Sequence, residues 1–229
     1  MNTPLSAWEM TKLKSRYHFD NSKIDPAFDS VTTLGQFVNC WQEEIKDIVA
    51  QSRDATWRTR GKDFTKGRPA TELDAEDYDM DRAGYGKDYV LSKLSYELTP
   101  RLQRISDLFG LEDNIPRLHV QMPGQMWNIH IDKLEKWCPE DPSRITRIFI
   151  QLTDWQQGQF WNYGNYNYTG WSAGDVTTFD WINVPHATAN ASFEPRITMQ
   201  ITGLITDRTR EFLRILRSKS PYQLSGTTI

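Results

Sequence analysis

The sequence is poor in the features that organise several common classes of protein. Only two cysteines occur in 229 residues, which excludes a disulfide scaffold and a cysteine-based zinc knuckle. No apolar run approaches the roughly 18–20 residues of a transmembrane helix, so no membrane partner is expected. The 27 lysines and arginines nearly balance the 30 aspartates and glutamates, for a net charge of −3. A dedicated nucleic-acid binder usually carries a basic excess, so no nucleic-acid partner is expected either.

The start of the chain lacks the pattern of a secretory signal. Residues 1–5 carry no basic region followed by an apolar stretch, so a cytoplasmic location is expected. The length suits one domain with a sizeable core, and we predict a single domain over 1–229. Histidine is scarce as well, and with only four in the chain each can be weighed individually.

The N-terminal part, residues 1–115, is predicted to be mainly helical. Apolar residues recur every three or four positions over 33–52 and over 87–110. That spacing is typical of amphipathic helices. Pro100 is expected to divide the second segment into two helices, because proline breaks a helix interior.

Residues 53–86 lack apolar periodicity and change from basic to acidic along their length. A loop this long in a compact domain is usually functional or disordered. One interpretation is a mobile, solvated surface loop. The other is a lid over a site, whose basic residues Arg58, Arg60 and Arg68 bind an anionic substrate.

From residue 116 onward the pattern changes to short β segments separated by turn residues. They cover 117–122, 125–132, 145–153, 158–162, 175–181, 184–189 and 195–206. Many short strands at close spacing favour a barrel or jelly roll. We therefore predict an α+β fold, with a double-stranded β-helix (jelly-roll, cupin-like barrel) over 116–206 and the N-terminal helices packed against it. A C-terminal part, 207–229, comprises a helix over 207–218 and a tail.

An aromatic run over 161–171 stands out within the β region. We interpret it as a hairpin with aromatic cross-strand pairs, and its tryptophans as barrel packing. The alternative is an aromatic and amide rim that selects the substrate.

Three side chains in the β region form a candidate metal site. His130 and Asp132 are two residues apart, so on a strand they point to the same face. A third ligand is available at His186. Two histidines and one carboxylate form the facial triad of non-haem Fe(II) oxygenases, which leaves open positions for other ligands.

An arginine follows the second histidine by ten residues. Strand alternation puts Arg196, Thr198 and Gln200 on one face. A guanidinium buried inside a barrel is costly unless an anion pairs with it. A carboxylate can form a bidentate pair with it through two parallel hydrogen bonds. The alternative is a solvated residue at a strand edge.

This order of residues resembles the Fe(II)/2-oxoglutarate-dependent dioxygenase superfamily. Within it, 117–206 is most similar to the aspartyl/asparaginyl β-hydroxylase family. The similarity includes the Pro-Gly turn in 119–124, the Gly-x-Val-x-x-Phe-Asp pattern of 174–180, and the spacing from His186 to Arg196. In one departure, Phe149 stands where the family has a histidine. In another, Asp132 is present although the best-known animal members lack a carboxylate ligand.

The resemblance implies the cofactors and a set of site residues. Fe(II) is expected on His130, Asp132 and His186. The residues expected at the cosubstrate 2-oxoglutarate are Arg196, Thr198, Arg147 and His119. Trp127 and Asn128 flank the first ligand and are candidates for substrate contacts.

The implied activity is a dioxygenase that uses dioxygen to hydroxylate an unactivated C–H bond and releases succinate and CO₂. Because of the departures, the family's specific substrate, a peptidyl aspartate or asparagine, is not assigned to this chain. The substrate is either a small, amino-acid-like molecule or a peptidyl residue. Two other functions stay open: a non-catalytic jelly-roll binding module, and a cupin-type metalloenzyme that uses no 2-oxoglutarate.

Overall fold

The computed structural model describes residues 31–56, 89–132 and 134–224, and only the backbone of Asn128 and Lys136. The strands are β1 (Val31–Gln36), β2 (Arg53–Thr56), β3 (Val90–Ser95), β4 (Glu112–Gln121), β5 (Met126–His130), β6 (Ile145–Gln151), β7 (Gln159–Tyr163), β8 (Tyr166–Tyr168), β9 (Asp175–Phe179), β10 (His186–Asn190) and β11 (Arg196–Leu204). The α-helices are α1 (Ile45–Gln51), α2 (Pro100–Leu108) and α3 (Asp207–Ser218). Short 3₁₀ turns cover Gln42–Glu44, Glu135–Trp137 and Pro142–Arg144.

The strands form two antiparallel sheets. The larger sheet has seven strands in the order β1-β9-β6-β11-β4-β3-β2, and the smaller has four in the order β5-β10-β7-β8. Several neighbouring pairs, β1 with β9, β6 with β11, β11 with β4 and β5 with β10, are distant in sequence. This is typical of a jelly roll, in which successive strands cross between sheets. The predicted α+β, double-stranded β-helix fold is confirmed.

Strand β11 is covered on both faces, because all nine of its residues are buried. Its apolar residues Ile197, Met199 and Ile201 belong to the main hydrophobic core. That core lies between the larger sheet and the helices, and includes Leu102, Ile105, Phe109, Phe212 and Leu216. The alternate residues of β11 are polar, so the opposite face of the sheet presents a polar lining to the barrel interior.

The helix predicted over 33–52 is wrong in its first half. Residues 31–36 form β1, which pairs with β9, and the α-helix is confined to α1. A short apolar run does not distinguish strand from helix by spacing alone. Gly35 has a φ of 138° at a register shift in the strand, a backbone conformation that no helix contains.

The helix predicted over 87–110 is also half wrong. Pro100 starts α2, as expected, but the preceding segment is strand β3. Residues 53–56, assigned to the loop over 53–86, form β2 and pair with β3. The described N-terminal part is therefore not mainly helical, because β1, β2 and β3 extend the larger sheet. The remaining loop residues lie outside the described part of the chain.

Most of the C-terminal elements were predicted correctly. The seven predicted β segments match β4 to β7 and β9 to β11, although β4 begins earlier, at Glu112, and α3 covers the predicted 207–218. The hairpin is formed by β7 and β8, with Trp161 opposite Tyr168 and Tyr163 opposite Tyr166. Within the described residues, no helix has the length and apolar character needed to cross a membrane.

Candidate functional site

The smaller sheet brings together the three predicted metal ligands. His130 ends β5 and His186 begins β10, and the two residues are directly opposite each other in the antiparallel pair. Asp132 follows two residues after His130. The Nε2 atoms of His130 and His186 lie 3.9 and 3.7 Å from the Asp132 carboxylate oxygens. One donor atom from each of the three buried residues lies within 4.8 Å of the others, so they can converge on one ion.

The carboxylate of Asp132 is held in its charged form. Its oxygen Oδ2 accepts a hydrogen bond from Nη1 of Arg147, which is also buried. Burial alone raises the pKa of the Asp132 carboxyl, but the charges of Arg147, His186 and His130 outweigh burial. Together they lower that pKa well below its ordinary value. A metal ion at this cluster would therefore meet a deprotonated carboxylate at neutral pH.

Arg196 is a buried cation surrounded by neutral partners. Its Nε and Nη2 donate to Oε1 of Gln121 at 3.0 and 2.8 Å, and its Nη1 donates to Oγ1 of Thr198 at 3.3 Å. The guanidinium lies 4.9 Å from the ring centroid of Trp161. Burial lowers the pKa of Arg196 to about 10, so it stays charged at neutral pH. In the described part of the chain, no carboxylate forms an ion pair with it.

Unpartnered donors border this guanidinium. Thr198 donates to Oε1 of Gln151 at 2.9 Å, which leaves Nε2 of Gln151 buried with no hydrogen-bond partner. Nε1 of Trp161 is buried and unpartnered as well. A buried polar group without a partner costs about 1–3 kcal/mol. A cation with free donors beside it is therefore suited to an anionic acceptor such as a carboxylate.

Aromatic side chains connect Arg196 with His186. The ring of Trp161 stacks on that of Tyr163 at 5.3 Å, and Tyr163 lies 6.4 Å from His186. Phe179 contacts the same histidine edge-on at 4.7 Å. A continuous cluster of aromatic rings therefore links the Arg196 guanidinium with the candidate ligand His186 on the inner side of the sheets.

His119 lies beside the predicted cosubstrate residues. It is opposite Thr198 in the pairing of β4 with β11, and its Nε2 is buried with no hydrogen-bond partner. Burial lowers the pKa of His119, and the charges of Arg117, Arg147 and Arg196 lower it further. The imidazole is thus neutral at physiological pH.

The predicted substrate contacts are only partly described. Trp127 is buried with its ring 6.0 Å from that of His130, and its Nε1 donates to Oγ of Ser92 at 3.1 Å. Asn128 is in β5 next to these residues, but its side chain lies outside the description. The basic residues Arg58, Arg60 and Arg68 also lie outside the described residues.

The sequence reasoning missed several polar residues of the interior. Gln121 and Gln151 hold Arg196 and Thr198 in place, and both are fully buried. Each lies two residues from one already considered, His119 or Phe149, so strand alternation could have found them. Trp161 packs in the barrel as predicted, but its ring also lies against the Arg196 guanidinium.

Comparisons with known proteins support the fold. No protein-family model matches this chain, and no curated protein matches it. One similar solved structure is the non-haem alpha-ketoglutarate-dependent epimerase SnoN from nogalamycin biosynthesis. It has a TM-score of 0.50, 10% identity and coverage of 77% of each chain. A Pseudomonas putida prolyl-4-hydroxylase has a TM-score of 0.44 and 17% identity, covering 80% of this chain and 96% of that one. A cupin 2 barrel protein from Salinispora arenicola has a TM-score of 0.32 and 13% identity, covering 54% of this chain and 84% of that one. The similarity to SnoN agrees with the jelly-roll architecture.

Proposed function

We propose that this chain is an Fe(II)- and 2-oxoglutarate-dependent dioxygenase that hydroxylates an unactivated C–H bond. The substrate is a small, amino-acid-like molecule or a peptidyl residue, and the products include succinate and CO₂. The observation that carries the proposal is the buried Arg196, which has no carboxylate partner among the described residues and shares one interior with a histidine–carboxylate–histidine cluster. A dicarboxylate that chelates a metal at one end requires both features.

The residues fit these cofactors chemically. His130, Asp132 and His186 supply the nitrogen and carboxylate donors that suit non-haem Fe(II) with open positions. Arg196, with Thr198 and the free amide of Gln151, suits the distal carboxylate of 2-oxoglutarate. When bound, iron and 2-oxoglutarate supply the activation of dioxygen.

The remaining side chains position the ligands and exclude water. Arg147 orients Asp132 and keeps it deprotonated, which is the supporting role that groups around a metal ligand commonly have. The neutral His119 offers a further polar contact near Thr198. Phe149 and Phe179, whose ring centroids are 5.6 Å apart, form part of the apolar wall.

The finer resemblance to aspartyl/asparaginyl β-hydroxylases is part of this proposal. It is supported by the segments 119–124 and 174–180 and by the spacing from His186 to Arg196. A binding module without cofactors leaves the buried charge of Arg196 uncompensated, and so does a cupin-type enzyme that uses no 2-oxoglutarate. We therefore favour the oxygenase over both.

The test is an anaerobic titration of the Fe(II)-loaded protein with 2-oxoglutarate. We expect a weak metal-to-ligand charge-transfer absorption that saturates with cosubstrate, followed by succinate formation when air is admitted. Absence of the absorption contradicts the use of 2-oxoglutarate, and absorption without succinate contradicts catalysis. A screen of amino acids and peptides for stimulated 2-oxoglutarate turnover then identifies the substrate.

A further inference from the structure

A second arginine on the inner face of β4, Arg117, has no role in the proposed cosubstrate site. It is opposite Gln200 of β11, and its Nη2 donates to Oε1 of Gln200 at 3.0 Å. Its Nε is buried and has no hydrogen-bond partner. Among the described residues, no carboxylate forms an ion pair with Arg117. A guanidinium has five N–H donors, so this contact with a neutral amide leaves donors for a ligand.

Polar contacts connect Arg117 with the candidate metal centre. Nε2 of Gln200 donates to Oγ1 of Thr202 at 3.0 Å, and Nε of Arg147 donates to the same oxygen at 3.3 Å. Arg147 in turn pairs with Asp132. Arg117 therefore lies at one end of a chain of side chains whose other end is a candidate iron ligand.

Arg117 and Arg196 are attached at different points along the barrel. The strand partner of Arg117, Gln200, lies four residues after Arg196 on β11. At about 3.3 Å per residue, four residues span roughly 13 Å. Arg117 lies toward the Asp132 end of the strand, away from the proposed site of the distal carboxylate.

Of the three arginines in this interior, Arg117 is the one to which no anion has been assigned. Arg147 is neutralised by Asp132, and Arg196 is assigned to 2-oxoglutarate. Burial and the surrounding guanidinium charges lower the pKa of His119, so the imidazole adds no charge of its own. Arg117 thus remains without an assigned anion, and contacts through Gln200, Thr202 and Arg147 link it to Asp132.

Building on the proposed function, we infer that the substrate carries a carboxylate and that Arg117 binds it beside the metal centre. The planar fork of a guanidinium matches the two oxygens of a carboxylate. The guanidinium edge that includes the free Nε can bind both carboxylate oxygens, which fixes the orientation of the substrate as well as its affinity. The class of substrate is therefore a carboxylic acid, such as a free amino acid.

The test compares carboxylates with amides of the same shape. The probes are hexanoate and 3-phenylpropanoate, with hexanamide and 3-phenylpropanamide as their uncharged counterparts. Binding is measured by calorimetry on protein loaded with Fe(II) and 2-oxoglutarate without oxygen, in the wild type and in Arg117→Gln and Arg117→Lys. Arg210→Gln is the matched control, because Arg210 is an exposed arginine paired with Asp207 on α3.

We expect the carboxylates to bind at least tenfold more tightly than the amides. Arg117→Gln should weaken carboxylate binding about ten- to hundredfold, the usual worth of hydrogen bonds to a charged group. It should leave the affinities for the amides and 2-oxoglutarate unchanged. Arg117→Lys should recover part of the loss, and Arg210→Gln should have no effect.

Three results overturn the inference: no measurable carboxylate binding, equal binding of acid and amide, or unchanged carboxylate binding in Arg117→Gln. An equal loss of 2-oxoglutarate affinity in Arg117→Gln also overturns it, because Arg117 then belongs to the cosubstrate site. Failure of the wild type to bind 2-oxoglutarate is a separate result. It overturns the proposed function, and this inference falls with it.

Discussion

At the scale of single residues, the interior of the barrel is defined by two buried arginines in different electrostatic situations. Arg147 has a carboxylate partner, Asp132, whereas Arg196 contacts only neutral groups in the described part of the chain. In a buried ion pair the two charges compensate each other. A buried cation without a counter-ion carries an uncompensated desolvation cost, which an anionic ligand offsets. The two arginines should therefore respond differently to substitution.

Arg196→Ala should raise the KM for 2-oxoglutarate by at least an order of magnitude. Truncating one partner of a buried charge pair costs roughly 2–5 kcal/mol, which corresponds to about thirty- to several-thousand-fold in affinity. Fe(II) binding without cosubstrate should stay near normal, and Arg196→Lys should recover only part of the loss, because lysine lacks the planar fork. Steady-state kinetics and metal titration measure both quantities. An equal loss of iron affinity would instead assign Arg196 a structural role.

His130→Ala and His186→Ala should each abolish turnover and weaken Fe(II) binding while the fold is retained. Each substitution removes one of three donors that lie within 4.8 Å of one another. Asp132→Gly should also lose hydroxylation. Metal titration, succinate assays and circular dichroism measure the three effects. Wild-type activity in either histidine variant would show that the site has been assigned incorrectly.

Arg147→Met should weaken Fe(II) binding most strongly at acidic pH. Burial raises the pKa of Asp132, and the Arg147 charge is a main reason why that pKa is nevertheless low. Without this charge the pKa rises, so protons compete with the metal at higher pH, and the acid limb of metal binding should move to higher pH. Arg147→Lys should return the acid limb of metal binding most of the way to its wild-type pH, since lysine keeps the positive charge. The pH dependence of metal affinity measures this shift, and an unchanged limb would exclude the electrostatic role.

At the scale of secondary structure elements, the two faces of one strand pack against different parts of the molecule. On β11 the apolar residues pack in the core shared with the helices, and the polar residues alternate with them on the barrel side. The N-terminal strands add to the same large sheet, and β1 packs against α3 through a glycine. Gly35 is there because a Cβ at this position would lie 2.8 Å from Cγ of Leu216 and 3.0 Å from its carbonyl oxygen.

Gly35→Ala should destabilise the protein more than Gly124→Ala does. Both glycines have positive φ angles, 138° and 85°, so both substitutions incur conformational strain of about 1–3 kcal/mol. Only at Gly35 does the new methyl group also meet neighbouring atoms, because a Cβ at Gly124 has nothing within 4 Å. Urea unfolding of the two variants measures the difference. Equal destabilisation would mean that α3 adjusts without cost.

At the scale of the whole molecule, the main hydrophobic core and the candidate functional site occupy two different spaces. The main hydrophobic core lies between the larger sheet and the helices, while the barrel interior has polar residues and a smaller aromatic cluster. Unpartnered donors of Gln151 and Trp161 remain in that interior. A ligand that satisfies them should stabilise the native state of the whole protein.

We expect 2-oxoglutarate to raise the melting temperature of the Fe(II)-loaded protein under anaerobic conditions. A ligand at a hundred times its Kd adds about 2.7 kcal/mol to the free energy of unfolding. Arg196→Ala should lose most of this shift at the same concentration, whereas the exposed Arg210→Gln should keep it. Thermal unfolding with and without cosubstrate provides the measurement. A shift of equal size in all three proteins would locate 2-oxoglutarate elsewhere.

The sequence by itself determined the features that depend on local geometry. Side chains alternate along any strand, so the shared face of His130 and Asp132 and the polar face of β11 followed from the sequence once strands were assumed. Likewise, α3 could be predicted because its apolar spacing and the Thr206 cap are local, and Oγ1 of Thr206 accepts from the backbone N–H of Thr209.

Tertiary structure alone decided the features that depend on which strands meet. The segment 31–36 became a strand because β9 pairs with it, a partner about which its own apolar spacing carries no information. The partners of Arg196 and Arg147 come from residues 75 and 15 positions away. Strand register brings such residues together across the sheet, and a single sequence does not specify that register, because it results from packing of the whole chain.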